Sequence, residues 1–287
     1  MIACAKINLI LNVKQRRPDG YHELDTIFYP LRNVADTLSW SDNEPGNGIR
    51  ISCAHPGVPL DPEKNLCGKA VTAYAKAAGL PLPDCNITLT KVIPCAGGMG
   101  GGSSDCAAVL RFLQEKYHAL TDVQLAQLAL TLGADVPFCV LNGTHRCGGV
   151  GEILIPLAPM PKCGLVIVKP PVSVSTPEAY KQCDTKPDSG VRYTREMVRA
   201  IERRSLPDVA AKLGNRFDDA LQIPEMRAIE AALLQAGAMN AVMTGSGSAV
   251  FGIFETKAAA EAAAAALDPA LGEIFTAEPV SAQEAQL

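Results

Sequence analysis

Residues 94–105 read Pro94-Cys95-Ala96-Gly97-Gly98-Met99-Gly100-Gly101-Gly102-Ser103-Ser104-Asp105. Glycines here let the backbone turn sharply and approach a ligand with no Cβ in the way. Ser103 or Ser104 then opens an amphipathic helical run, whose free N–H groups and positive dipole end form an anion site. The combination predicts a cradle for the phosphates of a nucleotide. It lacks the Lys-Ser/Thr ending of a Walker motif and the Val-Ala-Ile-Lys and His-Arg-Asp partners of a protein kinase. A dinucleotide fingerprint would follow the first strand, and this loop does not. A flexible Gly/Ser linker is the plainer alternative. Against it, ordered elements flank the loop tightly and the serines stand where helix caps belong.

Three more islands set polar groups inside strongly apolar sequence: Ala5-Lys6-Ile7-Asn8-Leu9, Asp19-Gly20-Tyr21-His22-Glu23-Leu24 and Leu132-Gly133-Ala134-Asp135-Val136-Pro137-Phe138. Buried polar groups cost free energy unless they are paired or used. Taken singly, each has a plain reading. Asp135 after a helix-stopping glycine is a turn or cap residue, Lys6 a strand-rim residue, and Tyr21 and His22 turn residues packed on a strand end. Their co-occurrence with the glycine loop is what points to chemistry.

The elements that must position these residues are legible in outline. Ala3–Val13 alternates apolar and polar residues as a half-buried strand does. Arg16-Arg17-Pro18-Asp19-Gly20 is a turn, followed by short strands at Thr26–Leu31, Asp36–Ser41 and Ile49–Ala54. Asn65 caps a helix running to Ala78 and stopped by Gly79. Asn86–Val92 is the strand that feeds the glycine loop, with Ile87, Leu89 and Lys91 on one face. The helix after the loop carries Cys106, Val109, Leu110, Leu113 and Tyr117 on one stripe. Thr121-Asp122-Val123-Gln124 is a capping box, and the helix it opens buries Leu125, Leu128, Ala129 and Leu132 before Gly133. Beyond the proline-rich Ile155–Pro161 segment, the expected domain boundary, come a strand at Leu165–Lys169 and helices at Thr194–Ile201 and Leu206–Leu213. A helix from Pro224 to Ala236 and strands at Ala241–Met243 and Ala249–Phe254 follow, then an alanine-rich helix at Lys257–Leu267. Helices and strands mix without strict βαβ alternation, so the fold class is α+β in both halves.

Composition narrows the function classes. The chain has 287 residues, enough for two medium domains, with 48% hydrophobic and 20% charged residues. A net charge of −4 with no basic, aromatic-interleaved run excludes a nucleic-acid surface. The ten cysteines form no Cys-x-x-Cys pair, so they read as small reduced hydrophobes and make the cytoplasm the natural compartment. Met1-Ile2-Ala3-Cys4 resembles a lipoprotein cleavage site but lacks the preceding basic and apolar regions. No apolar run approaches the ~20 residues of a membrane span.

Taken together the islands resemble the GHMP kinases (galacto-, homoserine, mevalonate and phosphomevalonate kinases) over nearly the whole chain. Thr244-Gly245-Ser246-Gly247-Ser248 is similar to the family's third, glycine-rich motif. The resemblance implies a ribosomal-protein-S5-like ATP-binding domain over residues 1–156 and a ferredoxin-like domain over 157–287. It implies ATP and Mg²⁺ as cofactors, with Pro94 to Ser104 holding the nucleotide and the metal ligands unassigned. Asp135 would be the base that takes a proton from the substrate hydroxyl, and Lys6 the cation that keeps it ionised. The combination of Ala-Lys-Ile-Asn-Leu, Asp-Gly-Tyr-His-Glu-Leu and Gly-Ala-Asp-Val-Pro-Phe further resembles family members acting on the 2-hydroxyl of a cytidine-linked polyol, CDP-methylerythritol, in the non-mevalonate isoprenoid route. On that resemblance His22 bonds the cytosine, Tyr21 stacks on it, and Tyr180 lies on its other face. A core tyrosine is the equal alternative for Tyr180. Asn8 and Thr176 join the substrate-binding set, and Asp135 belongs to it as well. The alternatives are a homoserine- or mevalonate-type kinase and a silent nucleotide-binding regulator. The expected partners are the small molecules alone, with the chain a monomer or homodimer. Cys4-Ala5 where proline commonly precedes alanine, Ala96 where some relatives carry glycine, and Met99 where leucine is usual are departures that remove no charged or hydrogen-bonding group.

Overall fold

A computed structural model describes residues 1–188, 192–280 and 284. The alternating opening run forms β1 (Ile2–Arg16), which turns at Gly20 (φ +89°) and returns antiparallel as β2 (His22–Asp42). Two strands are expected in β2's place, and the structure joins them. Asn33, a residue that tolerates left-handed backbone, takes φ +69° within the irregular β1–β2 pairing, so the chain bends without leaving the sheet.

Next come β3 (Ile49–Cys53), α1 (Leu66–Ala78), β4 (Cys85–Thr90) and α2 (Gly101–Tyr117). Asn65 caps α1 by accepting from Cys67 N–H, and Gly79 ends it at φ +65°. The expected capping box opens α3 (Asp122–Leu132). A short α4 (Val136–Leu141), not foreseen, leads into β5 (His145–Gly149) and β6 (Ile153–Pro156). The remaining elements are β7 (Gly164–Lys169), α5 (Thr176–Thr185), α6 (Thr194–Glu202), α7 (Leu206–Ala211), β8 (Gly214–Asn215), α8 (Arg216–Leu221), α9 (Pro224–Gln235), β9 (Asn240–Met243), β10 (Val250–Phe254), α10 (Lys257–Ala266) and β11 (Glu273–Pro279).

One sheet runs through the molecule in the order β3-β4-β2-β11-β7-β10-β9. The join is β11, which pairs with β7 over most of its length and with β2 at Leu31 and Arg32. Helices α1 to α4 bury their apolar stripes with β4, Val109, Leu110 and Leu113 of α2 meeting Val71 and Tyr74 of α1. A second core lies among β1, β7 and β10, under α6 and α7. The architecture is α+β, as the sequence predicts. The cysteines are free thiols, seven of them buried.

A buried acid pair braces the far side of β9. Asp218 of α8 accepts from Arg227 at 2.9 Å, and Glu230 of α9 accepts from the same guanidinium at 2.6 Å. Burial, then the hydrogen bond and negative charge of Asp218, push the Glu230 carboxyl up. A raised folded-state pKa means the native state holds this proton more tightly than the unfolded chain. Its stabilisation is full below the ordinary glutamate range and is lost as pH climbs through the raised value. Glu230→Gln should therefore flatten the decline in stability between pH 5 and 8, as denaturant midpoints at the two ends would show.

Candidate active site

The site begins on β1. Lys6 and Asn8, two residues apart, present their side chains on one face of the strand. Lys6 is 4% exposed, and its backbone N–H donates to Met99 O at 3.0 Å, tying the strand to the glycine loop. Its Nζ donates to Asn8 Oδ1 at 2.9 Å and stands 4.8 Å above the centre of the Phe28 ring. It lies 3.6 Å from Asp135 Oδ2. Gly133 ends α3, and Pro137 presets the first turn of α4 with Asp135 at the cap position. A carboxylate there ordinarily bonds the helix's free N–H groups. Here it makes no such bond and faces Lys6.

Two loops meet back to back beside this pair. A Cβ on Gly98 would sit 2.3 Å from Thr244 O, and one on Gly245 would sit 2.6 Å from Gly98 O. Glycine is required at both by contact and by left-handed φ, +73° and +58°. Ala249 N–H donates to Gly97 O at 3.1 Å. Asn8 completes the cross-link: its N–H donates to Thr244 Oγ1 at 3.0 Å, and its Oδ1 accepts from Gly245 N–H at 3.1 Å. Asn215 grips the same loop from behind, donating to Met243 O and Gly245 O at 2.7 and 2.8 Å.

The serines do not cap α2 as expected. Gly101 and Gly102 adopt helical backbone, so the helix starts at Gly101 with Gly100 at the cap position. Ser103 falls within the first turn. Ser104 is buried, and its hydroxyl donates to Cys4 O at 2.7 Å, so it is directed into the protein.

Two cavities share the glycine loop as their wall. One, of about 430 Å³, is lined by Gly57 to Pro59, Lys64 to Leu66, Lys91, Asp105, and the loop from Pro94 to Ser103, including Cys95, Ala96, Gly97 and Met99. Every loop residue expected at the nucleotide lines it except Ser104. The other, of about 320 Å³, holds Lys6, Asn8, Thr26, Phe28, Asp135, Thr176, Tyr180, Phe217 and Gly245 to Gly247. Ala96, Gly98 and Gly100 line both. The Lys6–Asp135 pair thus stands at the partition, where a Cβ on Gly100 would come within 3.8 Å of Asp135 Oδ2.

The aromatic residues divide. Tyr180 lines the second cavity, burial raising its phenol to about 12. His22 stacks on it with ring centres 4.8 Å apart, its Nε2 paired with Asp184 Oδ1 at 2.7 Å. Neither His22, which reaches the cavity only through Tyr180, nor Tyr21, which is 65% exposed, lines the wall. Thr176 bonds Ser246 across the cavity mouth at 2.8 Å, joining α5 to the second loop.

One buried cluster escapes sequence reading. Lys91 pairs with Asp36 and, at 2.6 Å, with Asp105, while Asp36 also accepts from Ile93 N–H at 2.8 Å. Burial and the neighbouring Asp36 push the Asp105 carboxyl up against the pull of Lys91. This cluster fixes the start of the glycine loop to β2 and α2. The sole hint was an acidic residue at the loop's end.

Known proteins resemble this chain over most of its length. Residues 65–143 match the GHMP kinases N terminal domain and residues 197–274 the GHMP kinases C terminal domain. The chain is 42% identical over 257 residues to 4-diphosphocytidyl-2-C-methyl-D-erythritol kinase of Moorella thermoacetica, covering 88% of each. It is 40% identical over 255 residues to the protein of that name from Pelotomaculum thermopropionicum, again covering 88% of each. A crystal structure of 4-(cytidine 5'-diphospho)-2C-methyl-D-erythritol kinase superposes with TM-score 0.80 at 35% identity, covering 97% of this chain and 98% of that one. The L. major mevalonate kinase shares the fold at TM-score 0.73 and 18% identity. Among the described residues, no helix is long and apolar enough to cross a membrane.

Proposed function

The chain belongs to the 4-diphosphocytidyl-2-C-methyl-D-erythritol kinases of the GHMP kinase family, and from that premise we propose that it transfers the γ-phosphoryl group of ATP to the 2-hydroxyl of CDP-methylerythritol, an isoprenoid precursor. The larger cavity takes ATP and the smaller takes the alcohol. The observation that carries this reading is the Lys6–Asp135 pair at the wall common to both.

In the transfer, the acceptor oxygen bonds to the γ-phosphorus as the bridging bond to ADP breaks. The hydroxyl proton passes to Asp135. Lys6, 3.6 Å away, pairs with that carboxylate beforehand and offsets negative charge on the phosphoryl oxygens during transfer. Asn8 holds the lysine and both loops in register. The N–H groups opening α2 and the loop's backbone receive the phosphates.

Mg²⁺ fits this site as an ion carried by the nucleotide. It needs one or two protein oxygens beside phosphates and water. Ser103 offers such an oxygen on the nucleotide wall, whereas no trio of His, Cys, Asp or Glu among the described residues could cage a metal. Bound there, it would neutralise charge on the phosphates. We assign the domain division to residues 156 and 157, and the free thiols favour the cytoplasm.

Offering ATP with CDP-methylerythritol, homoserine and mevalonate in parallel tests the assignment. Turnover is expected with the cytidine-linked alcohol, and preference for either other acceptor overturns it. His22→Ala, which removes the ring stacked on Tyr180, should raise the KM for CDP-methylerythritol about tenfold, in line with base–aromatic contacts of ~1–3 kcal/mol. The KM for ATP should stay within about twofold. Equal losses for both nucleotides would remove His22, acting through Tyr180, from acceptor recognition.

A further inference from the structure

Lys169 ends β7 and is 7% exposed, yet only uncharged oxygens receive its ammonium. Nζ donates to Pro170 O at 2.6 Å and to Val172 O at 3.1 Å. An ammonium carries three protons, so one is left over. No carboxylate of the described residues reaches ion-pairing distance. The titratable groups whose fields act on it are Glu273, its register partner on β11, and the Cys95 thiol of the glycine loop. A buried charge is costly unless an opposite charge answers it, and burial accordingly pulls this amine below the ordinary lysine range.

The position of the side chain says where that opposite charge would come from. Its stem packs under the glycine loop, with Cδ 3.5 Å from where a Cβ of Gly97 would sit. Val172 O also accepts from Ser248 Oγ at 2.5 Å, which brings the end of the second glycine-rich loop to the same point. The ammonium lines neither cavity, so it stands behind the loop rather than on its surface.

We propose that Lys169 is the interior cation of the phosphate-binding loop, with the counter-charge that no described residue brings within ion-pairing distance supplied by the polyphosphate of the donor nucleotide. The inference rests on the donor cavity assigned above. Lys169 would act through the loop's peptide groups without touching the nucleotide, as a positioning residue. A cation behind a thin backbone wall in a low-dielectric setting attracts anions more than it would in water.

Lys169→Gln retains N–H donors for the two carbonyls and removes the charge. Calorimetric titration of the full chain with inorganic tripolyphosphate and, separately, with adenosine distinguishes charge from shape. Tripolyphosphate should bind about tenfold more weakly to the variant, a loss typical of one partly screened charge. Adenosine binding should change less than about twofold. In turnover, the KM for ATP should rise while kcat and the acceptor KM hold, and Lys169→Arg should recover most of the loss. Parallel losses for tripolyphosphate and adenosine, or no loss of either, overturn the proposal. Wild-type protein that binds neither probe overturns the donor cavity first and this inference with it. If the variants do not fold, NMR of the wild type decides: the titration midpoint of the Lys169 side chain should rise when tripolyphosphate is added, and an unmoved midpoint overturns the proposal.

Discussion

Asp135→Asn should abolish turnover while leaving ATP bound nearly as tightly as before. The substitution keeps the shape of the side chain and its place before α4, where the carboxylate caps nothing. What it removes is the proposed proton acceptor and the negative partner 3.6 Å from Lys6. General-base help is worth about 10²–10⁴-fold, so kcat should fall by at least about two orders of magnitude. The nucleotide cavity does not include Asp135 on its wall, and the ATP dissociation constant should move less than about threefold. Single-turnover kinetics and nucleotide titration separate the two effects. Near-normal kcat would remove Asp135 from the role of base.

Gly98→Ala should damage both stability and activity, for a reason unrelated to charge. The new methyl would lie 2.3 Å from Thr244 O and 3.1 Å from two atoms of Gly247, all backbone. Neither loop can yield easily, because Asn8, Asn215 and Ala249 hold them through hydrogen bonds on both sides. Alanine must also adopt φ +73°. Overpacking costs ~1–3 kcal/mol and left-handed backbone about another 1–2, so a loss of about 3 kcal/mol is expected in denaturant unfolding. Gly46→Ala provides the contrast: its φ is +85°, but no atom lies within 4 Å of the added carbon. It should show only the backbone part of the cost and keep full activity.

Local signals carry much of the fold. Asn65, Gly79 and the Thr121–Gln124 box act within a few residues of themselves, and each forms the expected cap. The alternating run does form β1, but not the half-buried strand its pattern predicts: Ala3 to Leu11 are buried on both faces, because elements distant in sequence cover the polar face as well. Where the outcome depends on distant partners, the sequence is silent. Nothing local tells that Asn33 bends a strand instead of ending one, since the decision belongs to the β1 pairing opposite it. The serines read as caps because the preceding glycines, poor helix formers, hide an earlier start. Helix α4 begins with a proline-containing apolar run too short for periodicity to reveal.

The site divides in the same way. Lys6, Asn8, the glycine loop and Asp135 announce themselves as polar groups in apolar surroundings, and they converge. The Lys91 cluster does not, because Asp36 and Asp105 come from other elements and only the folded chain brings them together. Tyr21 belongs to an equally prominent motif yet stands 65% exposed beside the turn at Gly20, where exposure depends on the packing around the turn and not on the motif.

The thin glycine wall between the cavities has a pharmacological corollary. The two chambers adjoin at Ala96, Gly98 and Gly100, so a single synthetic molecule that spans this boundary beside the Lys6–Asp135 pair would occupy both. Tethering an adenosine-like fragment to a cytidine-like one by a short linker would make the second engagement intramolecular, and avidity of this kind can exceed either fragment's affinity by about 10²–10⁴. Resistance through enlargement of the crossing point would be self-defeating at Gly98, where added bulk strikes the Thr244 carbonyl before it meets the inhibitor.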